Sequence, residues 1–323
     1  MRMNNNIEQI INAFEKSSKI AITGHVNPDG DAVGACLGLG LTLKSAGKTV
    51  DVYLENFSEA FRCIPGSGII LKDTDFSGEY DLFIAVDCAE KNRISENLIG
   101  FYKSAPLTVN IDHHTSNDFF GKLNYVDENA SSASEIVYRI IRDSYDIPKT
   151  AAAALYAGMV YDTGGFRHTC TSPLTMAAAA DMMSQGINFS EIYNEIFNRH
   201  SFVEAKLMGA ALNRLEMKFG GRVACTYLTL EEIAALGGTS KDVSEIINYI
   251  KGVRGAVAAV FAYEKAEGES KVSLRGDDPI NVAEISACFG GGGHIRAAGC
   301  TVYMGAEDAM NMVLDKLGEC FIK

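Results

Sequence analysis

The chain has 323 residues, of which 47% are hydrophobic, and this length predicts more than one domain. Its formal net charge of -12 argues against a protein that holds long nucleic acid, long duplexes included, by pairing many phosphates with lysine and arginine. No apolar run approaches the about 20 residues that cross a bilayer, so we expect a cytoplasmic protein that makes no membrane contact.

Apolar, β-branched runs in the first half of the chain predict strands over residues 20–23, 49–54, 81–86 and 107–111. Helical periodicity follows over residues 131–144 and 151–160, and the second of these stretches runs into Asp162 before a pair of glycines. This order predicts an α/β fold with a mainly parallel sheet flanked by helices.

From residue 172 to about residue 219 the pattern is helical almost throughout, and strand-like runs return over residues 222–228, 255–263 and 271–274. Shorter helix-like segments separate these later runs. The sequence therefore predicts three parts: a first α/β domain over residues 1–187, a helical connector over residues 188–219, and a smaller C-terminal α/β domain over residues 220–323.

A sharp turn with three polar side chains follows the first predicted strand. The sequence HVNPDGD begins at His25, and its Pro28 and Gly30 favour a tight turn that lets His25, Asp29 and Asp31 converge. In an open α/β sheet, such a junction between strand and helix lies at the carboxyl edge, where ligands bind. One imidazole and two carboxylates at that edge predict half of a divalent metal site.

Further acids and imidazoles are predicted at the same edge. Asp87 and the triplet Asp112-His113-His114 stand at the ends of predicted strands, and Asp162 ends a helix. Carboxylate and imidazole ligands without cysteine favour Mn²⁺ or Mg²⁺ over a structural zinc, and of the two we expect Mn²⁺. Two such ions about 3.5–4 Å apart activate water and neutralise phosphoryl oxygens, so the pattern predicts the hydrolysis of a phosphate ester.

In their order along the chain, these motifs resemble those of the DHH phosphoesterase superfamily. The resemblance implies a set of metal ligands divided between two ions: His25 and Asp29 for one, Asp31, His113 and Asp162 for the other, and Asp87 as the bridge. It also implies catalytic roles for His114, which would face the scissile phosphate, and for Asp112, which would orient the histidines.

A run of four glycines near the C-terminus, directly before His294, carries an independent signal. Glycines expose backbone N–H groups, and a helix that begins just after them would complete an anion cradle. Arg275 follows a predicted strand and is suited to a phosphate contact. Both stretches resemble the DHH-associated C-terminal domain, which implies that the substrate is bound by Arg275, Gly291, Gly292, Gly293 and His294.

Within the superfamily, the chain resembles bacterial oligoribonucleases that degrade RNAs of a few residues (nanoRNA) and dephosphorylate pAp, 3′-phosphoadenosine 5′-phosphate. A cyclic or linear dinucleotide phosphodiesterase remains an alternative. The acidic balance argues against a processive single-strand exonuclease, and the complete ligand set argues against a non-catalytic nucleotide sensor. The sequence leaves open the polarity of degradation and the oligomeric state, a homodimer included.

Polar residues outside these motifs are expected to have ordinary structural roles. His168 and His200 match no motif and are expected on the surface or between helices. Arg93, Ser132 and Glu135 are expected to form salt bridges or helix caps.

Overall fold

The computed structural model describes residues 4–321. The chain divides into two compact units, Met1–Arg199 and His200–Lys323, called here the N-terminal and C-terminal units. Each unit contains its own six-stranded sheet. The division falls inside the segment predicted as a helical connector. Among residues 4–321, no helix combines the length and the apolar character needed to cross a membrane.

The N-terminal unit alternates strands and helices. Its elements, in chain order, are α1 (Ile7–Lys16), β1 (Lys19–Thr23), α2 (Gly30–Ser45), β2 (Thr49–Leu54), β3 (Ile70–Lys72), β4 (Leu82–Val86), α3 (Glu96–Ser104), β5 (Leu107–Asp112), β6 (Leu123–Val126), α4 (Ala133–Ile141), α5 (Lys149–Asp162), α6 (Pro173–Ser184) and α7 (Phe189–Phe197).

The sheet of the N-terminal unit has the order β3-β2-β1-β4-β5-β6, and all of its strand pairs are parallel. Strand β4 is buried along its whole length, as its unbroken apolar run predicted. The strand order reverses at β1, which has β2 on one side and β4 on the other. In open α/β sheets, ligands bind beyond the carboxyl ends of the strands at such a reversal. The predicted parallel sheet is confirmed.

Helices α2 and α5 pack closely because glycines line their contact. A Cβ atom on Gly34 would lie 2.5 Å from the carbonyl oxygen of Ala154, and one on Gly38 would lie 2.3 Å from Leu155 Cγ. A Cβ atom on Gly30 would meet Tyr161 in the same way. The two helices therefore run in opposite directions, and the first turn of α2 lies beside the last turn of α5.

The C-terminal unit is built around a mixed sheet. Its elements are α8 (Phe202–Asn213), β7 (Glu216–Lys218), β8 (Val223–Leu228), α9 (Leu230–Ala235), α10 (Ile246–Lys251), β9 (Ala258–Ala266), β10 (Glu269–Gly276), α11 (Val282–Ala287), β11 (Gly292–His294), β12 (Ala297–Val302) and α12 (Ala306–Gly318).

The strand order of this sheet is β11-β12-β10-β9-β8-β7, and only the β8–β9 pair among the described strands is parallel. The helical pattern was expected to reach about residue 219, but the last residues of that stretch are not helical. Helix α8 ends at Asn213, and strand β7 then pairs with β8 through main-chain hydrogen bonds that the side-chain pattern does not reveal.

The prediction that a helix begins just after the glycine run is wrong. Helix α11 precedes the run, because the Asn281 side chain caps its N-terminus by accepting from the N–H groups of Ala283 and Glu284. The glycines instead lead into β11, which pairs with β12 as a hairpin. A Cβ atom on Gly293 would lie 2.6 Å from the carbonyl oxygen of Ala297, so the two backbones approach too closely for a side chain there.

Candidate active site

The residues predicted as metal ligands meet at the carboxyl edge of the parallel sheet. His25 follows β1, Asp87 follows β4 and His113 follows β5, while Asp162 is the last residue of α5. Their ligand atoms form clusters within which all atoms lie no more than 4.8 Å apart: His25, Asp29 and Asp87; Asp31, His113 and Asp162; and Asp87, His113 and His114.

Asp87 lies between the two histidines that were predicted to bind different ions. Its Oδ2 is 3.5 Å from His25 Nε2, and its Oδ1 is 3.4 Å from His113 Nε2. His25 Nε2 is also 3.7 Å from Asp29 Oδ1, and His113 Nε2 is 3.3 Å from Asp162 Oδ2. All four distances exceed the about 2.7–3.2 Å of ordinary N–H···O hydrogen bonds. The spacing suits atoms that surround a common cation.

The chemistry of Asp87 also fits a bound cation. The residue is 2% exposed, and its Oδ1 is buried without a hydrogen-bond partner among the described residues. An unsatisfied buried polar atom costs about 1–3 kcal/mol, and more when it is charged. Asp87 also has a left-handed backbone with φ 58°, which is costly for a residue other than glycine. The donor set therefore fits divalent cations that bind between these carboxylates and imidazoles.

Asp31 is fully buried and is fixed by the first turn of α4. Its Oδ2 accepts from the N–H of Ala133 at 2.6 Å, and its Oδ1 accepts from the N–H of Ser134 at 3.0 Å. The partial positive charge of a helix N-terminus favours a carboxylate in this position. Burial, together with the nearby charge of Asp87, nevertheless raises the pKa of Asp31 to about 7. A further positive charge nearby would therefore favour the ionised form of this carboxylate.

Crowded carboxylates dominate the electrostatics of the cluster. Burial opposes the charging of His25 and His113, but the surrounding aspartates outweigh it and raise the pKa of both imidazoles to about 10. Burial and the charges of Asp31 and Asp87 raise the pKa of Asp162 well above its usual range. Burial opposes ionisation of Asp87 as well, but the two imidazoles lower its pKa. Protons and metal ions therefore compete for the same atoms.

Asp29 has a second role as the N-cap of α2. Its Oδ1 accepts from the N–H groups of Asp31 at 3.0 Å and of Ala32 at 3.1 Å. These bonds fix the carboxylate on the turn that the sequence predicted. The first helical turn thus positions one carboxylate by capping and places Asp31 two residues further on.

His114 is held by the buried carboxylate of Asp112. His114 Nδ1 lies 2.8 Å from Asp112 Oδ1, and the other oxygen of Asp112 accepts from the Asn117 side chain at 2.6 Å. Asp112 is fully buried, whereas the His114 side chain is 44% exposed. The hydrogen bond to Asp112 raises the pKa of His114. Asn117 lies in a loop without a pattern, and sequence reasoning missed it.

The residues expected to have ordinary roles gave mixed outcomes. Ser132 caps α4, and the buried Glu135 accepts from Ser131 and Thr175. His168 is exposed, with its Nδ1 3.0 Å from the carbonyl oxygen of Asp162. The expected salt bridge of Arg93 is wrong: no ion pair joins it to a carboxylate within residues 4–321, and its Nη2 lies 3.2 Å from His25 Nδ1.

Two of the predicted substrate-binding residues, Arg275 and His294, share one row of the sheet in the C-terminal unit. Ala297 on β12 pairs with Arg275 on β10 and with His294 on β11. Directly paired residues point to the same face of a sheet, so Arg275 and His294 flank Ala297 on one face. His294 is exposed together with Gly292 and Gly293, whereas Gly291 is half-buried. Arg275 Nε donates to Asn248 Oδ1 at 3.1 Å, and burial lowers the pKa of Arg275.

The fold and the carboxylate cluster together define a metal-dependent hydrolase of the α/β class, and comparison with known proteins gives the family. The model of the DHH family N-terminal domain matches residues 19–159, and that of the DHHA1 domain matches residues 220–323. The chain is 30% identical to the bifunctional oligoribonuclease and PAP phosphatase NrnA of Thermus thermophilus, over 97% of this chain and 93% of that protein. The protein of the same name from Bacillus subtilis is 26% identical, over 91% of this chain and 93% of its own length.

Among solved structures, an exopolyphosphatase-related protein from Bacteroides fragilis superposes with a TM-score of 0.86 at 29% identity. The match covers 97% of this chain and 95% of that one. The chain therefore belongs to the DHH phosphoesterase family and carries both the DHH and the DHHA1 domain.

Proposed function

We propose that this protein hydrolyses the phosphate esters of oligoribonucleotides a few residues long and of pAp, with two divalent cations as cofactors. The observation that carries the proposal is the position of Asp87, whose two carboxylate oxygens face His25 and His113. One ion would be held by His25 and Asp29, the other by Asp31, His113 and Asp162, with Asp87 as the bridge. The relatives named as oligoribonucleases and PAP phosphatases support the choice of substrates.

The two cations, once bound, would supply a water that is nucleophilic at neutral pH and would neutralise charge on the phosphoryl oxygens. Residues of the chain would position the phosphate, the leaving oxygen and the ligands. Asp112 holds Nδ1 of His114, so Nε2 is the ring atom left to contact the phosphate or to protonate the leaving oxygen. Asp31 and Asp29 stay in place through backbone N–H donors, which keeps the ligands preorganised.

For the C-terminal unit, we propose binding of the substrate end that does not react. Arg275 and His294 lie on one face of the sheet, and the exposed backbone of Gly292 and Gly293 leaves room for a phosphate or a base. Hydrolysis is thus assigned to the domain over residues 1–187 and substrate binding to the domain over residues 220–323, with the segment 188–219 as the connector. Ligation by carboxylate and imidazole supports Mn²⁺ over Mg²⁺ as the working metal.

Product release from a labelled RNA series, from dinucleotide to twenty-mer, measured beside pAp, tests the proposal. We expect rapid cleavage of pAp and of the shortest RNAs with Mn²⁺, slower cleavage with Mg²⁺, and none with chelator. Equal or faster processing of the twenty-mer would instead support a long-strand exonuclease. Binding of pAp without release of phosphate, in the presence of Mn²⁺, would support a nucleotide sensor.

A further inference from the structure

Arg93 places a guanidinium group at the edge of the carboxylate cluster. It is the last residue of a short 3-10 helix, Lys91–Arg93, that follows Asp87. Its carbonyl oxygen accepts from the N–H of Val26 at 2.7 Å, which ties this helix to the segment that carries His25. Its exposed side chain also contacts this segment, since Nη2 lies 3.2 Å from His25 Nδ1.

The contact with His25 does not give the N–H groups of Arg93 an acceptor. His25 Nδ1 also lies 2.8 Å from the carbonyl oxygen of Val26. A neutral ring that ligates through Nε2 carries its proton on Nδ1, and that proton is donated to Val26. The N–H groups of Arg93 therefore face a donor, and they need another partner.

No protein carboxylate accepts hydrogen bonds from the Arg93 guanidinium, since Arg93 forms no ion pair within the part of the chain that the structure describes. A phosphate group is suited to it. Guanidinium groups bind phosphate oxygens with two parallel N–H donors. The four aspartates of the cluster already balance two divalent cations, so the charge that the substrate phosphate brings calls for an additional cation.

We propose that Arg93 binds the non-bridging oxygens of the phosphate that is hydrolysed, an inference that rests on the proposed function. A terminal phosphate such as that of pAp carries up to about two negative charges at pH 7, whereas an internal diester carries one. Arg93 therefore contributes more to the hydrolysis of terminal phosphates than to that of RNA diesters. It is a substrate contact that sets the balance between the two proposed activities.

The first test uses inorganic phosphate as the probe and does not depend on turnover. Calorimetry would measure phosphate binding to the Mn²⁺-loaded full-length protein, its Arg93→Gln and Arg93→Lys variants, and Lys91→Gln as the matched control. Lys91 lies in the same short helix, so its replacement removes the same charge without removing the guanidinium beside His25. We expect phosphate affinity to fall about 10- to 100-fold in Arg93→Gln, by less in Arg93→Lys, and by under about twofold in Lys91→Gln.

Mn²⁺ affinity, measured in the same variants, distinguishes a substrate contact from a residue that acts through His25. We expect it to be unchanged. A loss of Mn²⁺ affinity in Arg93→Gln, equal phosphate binding by Arg93→Gln and the wild type, or no phosphate binding by the wild type would each overturn the proposal. Because Arg93 is exposed, these variants are expected to fold, and Arg93→Lys retains the charge and most of the stem.

The second test compares kcat/KM for pAp and for a diribonucleotide. Arg93→Gln should lower the pAp value at least about tenfold more than the dinucleotide value, and Lys91→Gln should leave the ratio unchanged. An unchanged ratio in Arg93→Gln would contradict the specificity role. If the wild type cleaved neither substrate while its phosphate binding still depended on Arg93, the proposed function would fail and the phosphate contact would stand.

Discussion

Two groups of acidic side chains, one in each unit, are stabilised in different ways. In the N-terminal unit, Asp31, Asp87 and Asp162 crowd around two imidazoles, and one buried oxygen of Asp87 has no partner among the described residues. In the C-terminal unit, Glu232 receives both terminal nitrogens of Arg214, at 2.6 and 2.9 Å, and also caps its own helix. We propose that divalent cations complete the first arrangement, whereas the second is complete within the chain. The proposed hydrolysis is assigned to the first arrangement.

The largest expected effect comes from removing the bridging charge. Asp87→Asn keeps the side-chain shape, and asparagine tolerates the left-handed φ of 58° better than alanine. We expect turnover of pAp to fall by at least about a thousandfold, since both proposed metal positions lose a shared ligand. Thermal unfolding without metal should also show some loss of stability, because the charge of Asp87 is balanced by the imidazoles of His25 and His113.

Asp143→Asn is the matched control for that change. Asp143 is 85% exposed and contacts Arg142, its neighbour in the chain. Its replacement should leave both turnover and stability unchanged. Turnover by Asp87→Asn at the level of this control would contradict the two-metal assignment.

Close helix packing gives the next largest effect. A Cβ atom on Gly158 would lie 2.0 Å from Ser134 Oγ and 2.8 Å from Asp31 Oδ1. Gly158→Ala should therefore displace α5 and the proposed metal ligand Asp31 together, and lower the free energy of unfolding by about 1–3 kcal/mol. Chemical denaturation and a Mn²⁺ titration would measure the two losses.

Gly209→Ala provides the comparison in the C-terminal unit. Gly209 lies in α8, and a Cβ atom there would meet nothing within 4 Å. Alanine favours the helix at such a site, so we expect stability to rise by about 0.4–1 kcal/mol. If both variants lost stability equally, steric contact at Gly158 would not explain its effect.

A smaller effect is expected at the proposed substrate contact of the C-terminal unit. His294→Ala should raise KM for pAp by about tenfold and change kcat little, because His294 would bind substrate without contacting the reacting atoms. His200→Ala, which removes an exposed histidine with no assigned role, should leave both constants unchanged. A fall in kcat at constant KM would place His294 in the chemical step instead.

The sequence predicted the carboxylate cluster better than the glycine run. Side chains reveal the first, whereas the structure of the second depends on the backbone. The proposed ligands are side chains at strand ends, and buried runs such as Leu82–Val86 indicate where such ends fall. The glycine run has no side chains, so nothing in it indicated a hairpin, and the cap at Asn281 upstream decided where the helix lies. Asn117 and Arg93 make tertiary contacts with Asp112 and His25, and no local pattern predicts such contacts.

The smallest expected effect is a pH dependence that arises in the C-terminal unit alone. The paired nitrogens of Arg214 lower the pKa of Glu232 to about 2 from an ordinary value of 4.5. A depressed carboxyl pKa stabilises the fold above the unfolded-state value, and this contribution is lost as the pH falls from about 4.5 towards about 2. Both side chains are one-third exposed, so the pair should contribute under about 1 kcal/mol.

Glu232→Gln should therefore lower stability slightly at pH 7 and approach the wild type at pH about 3, as measured by chemical denaturation at each pH. Arg142→Gln, which breaks an exposed pair in the N-terminal unit, serves as the control and should show no such convergence. Addition of Mn²⁺ should not alter the difference between Glu232→Gln and the wild type, because this pair is complete within the chain. A difference that grew with Mn²⁺ would show that the carboxylates of the two units are not independent, and the contrast between them would fail.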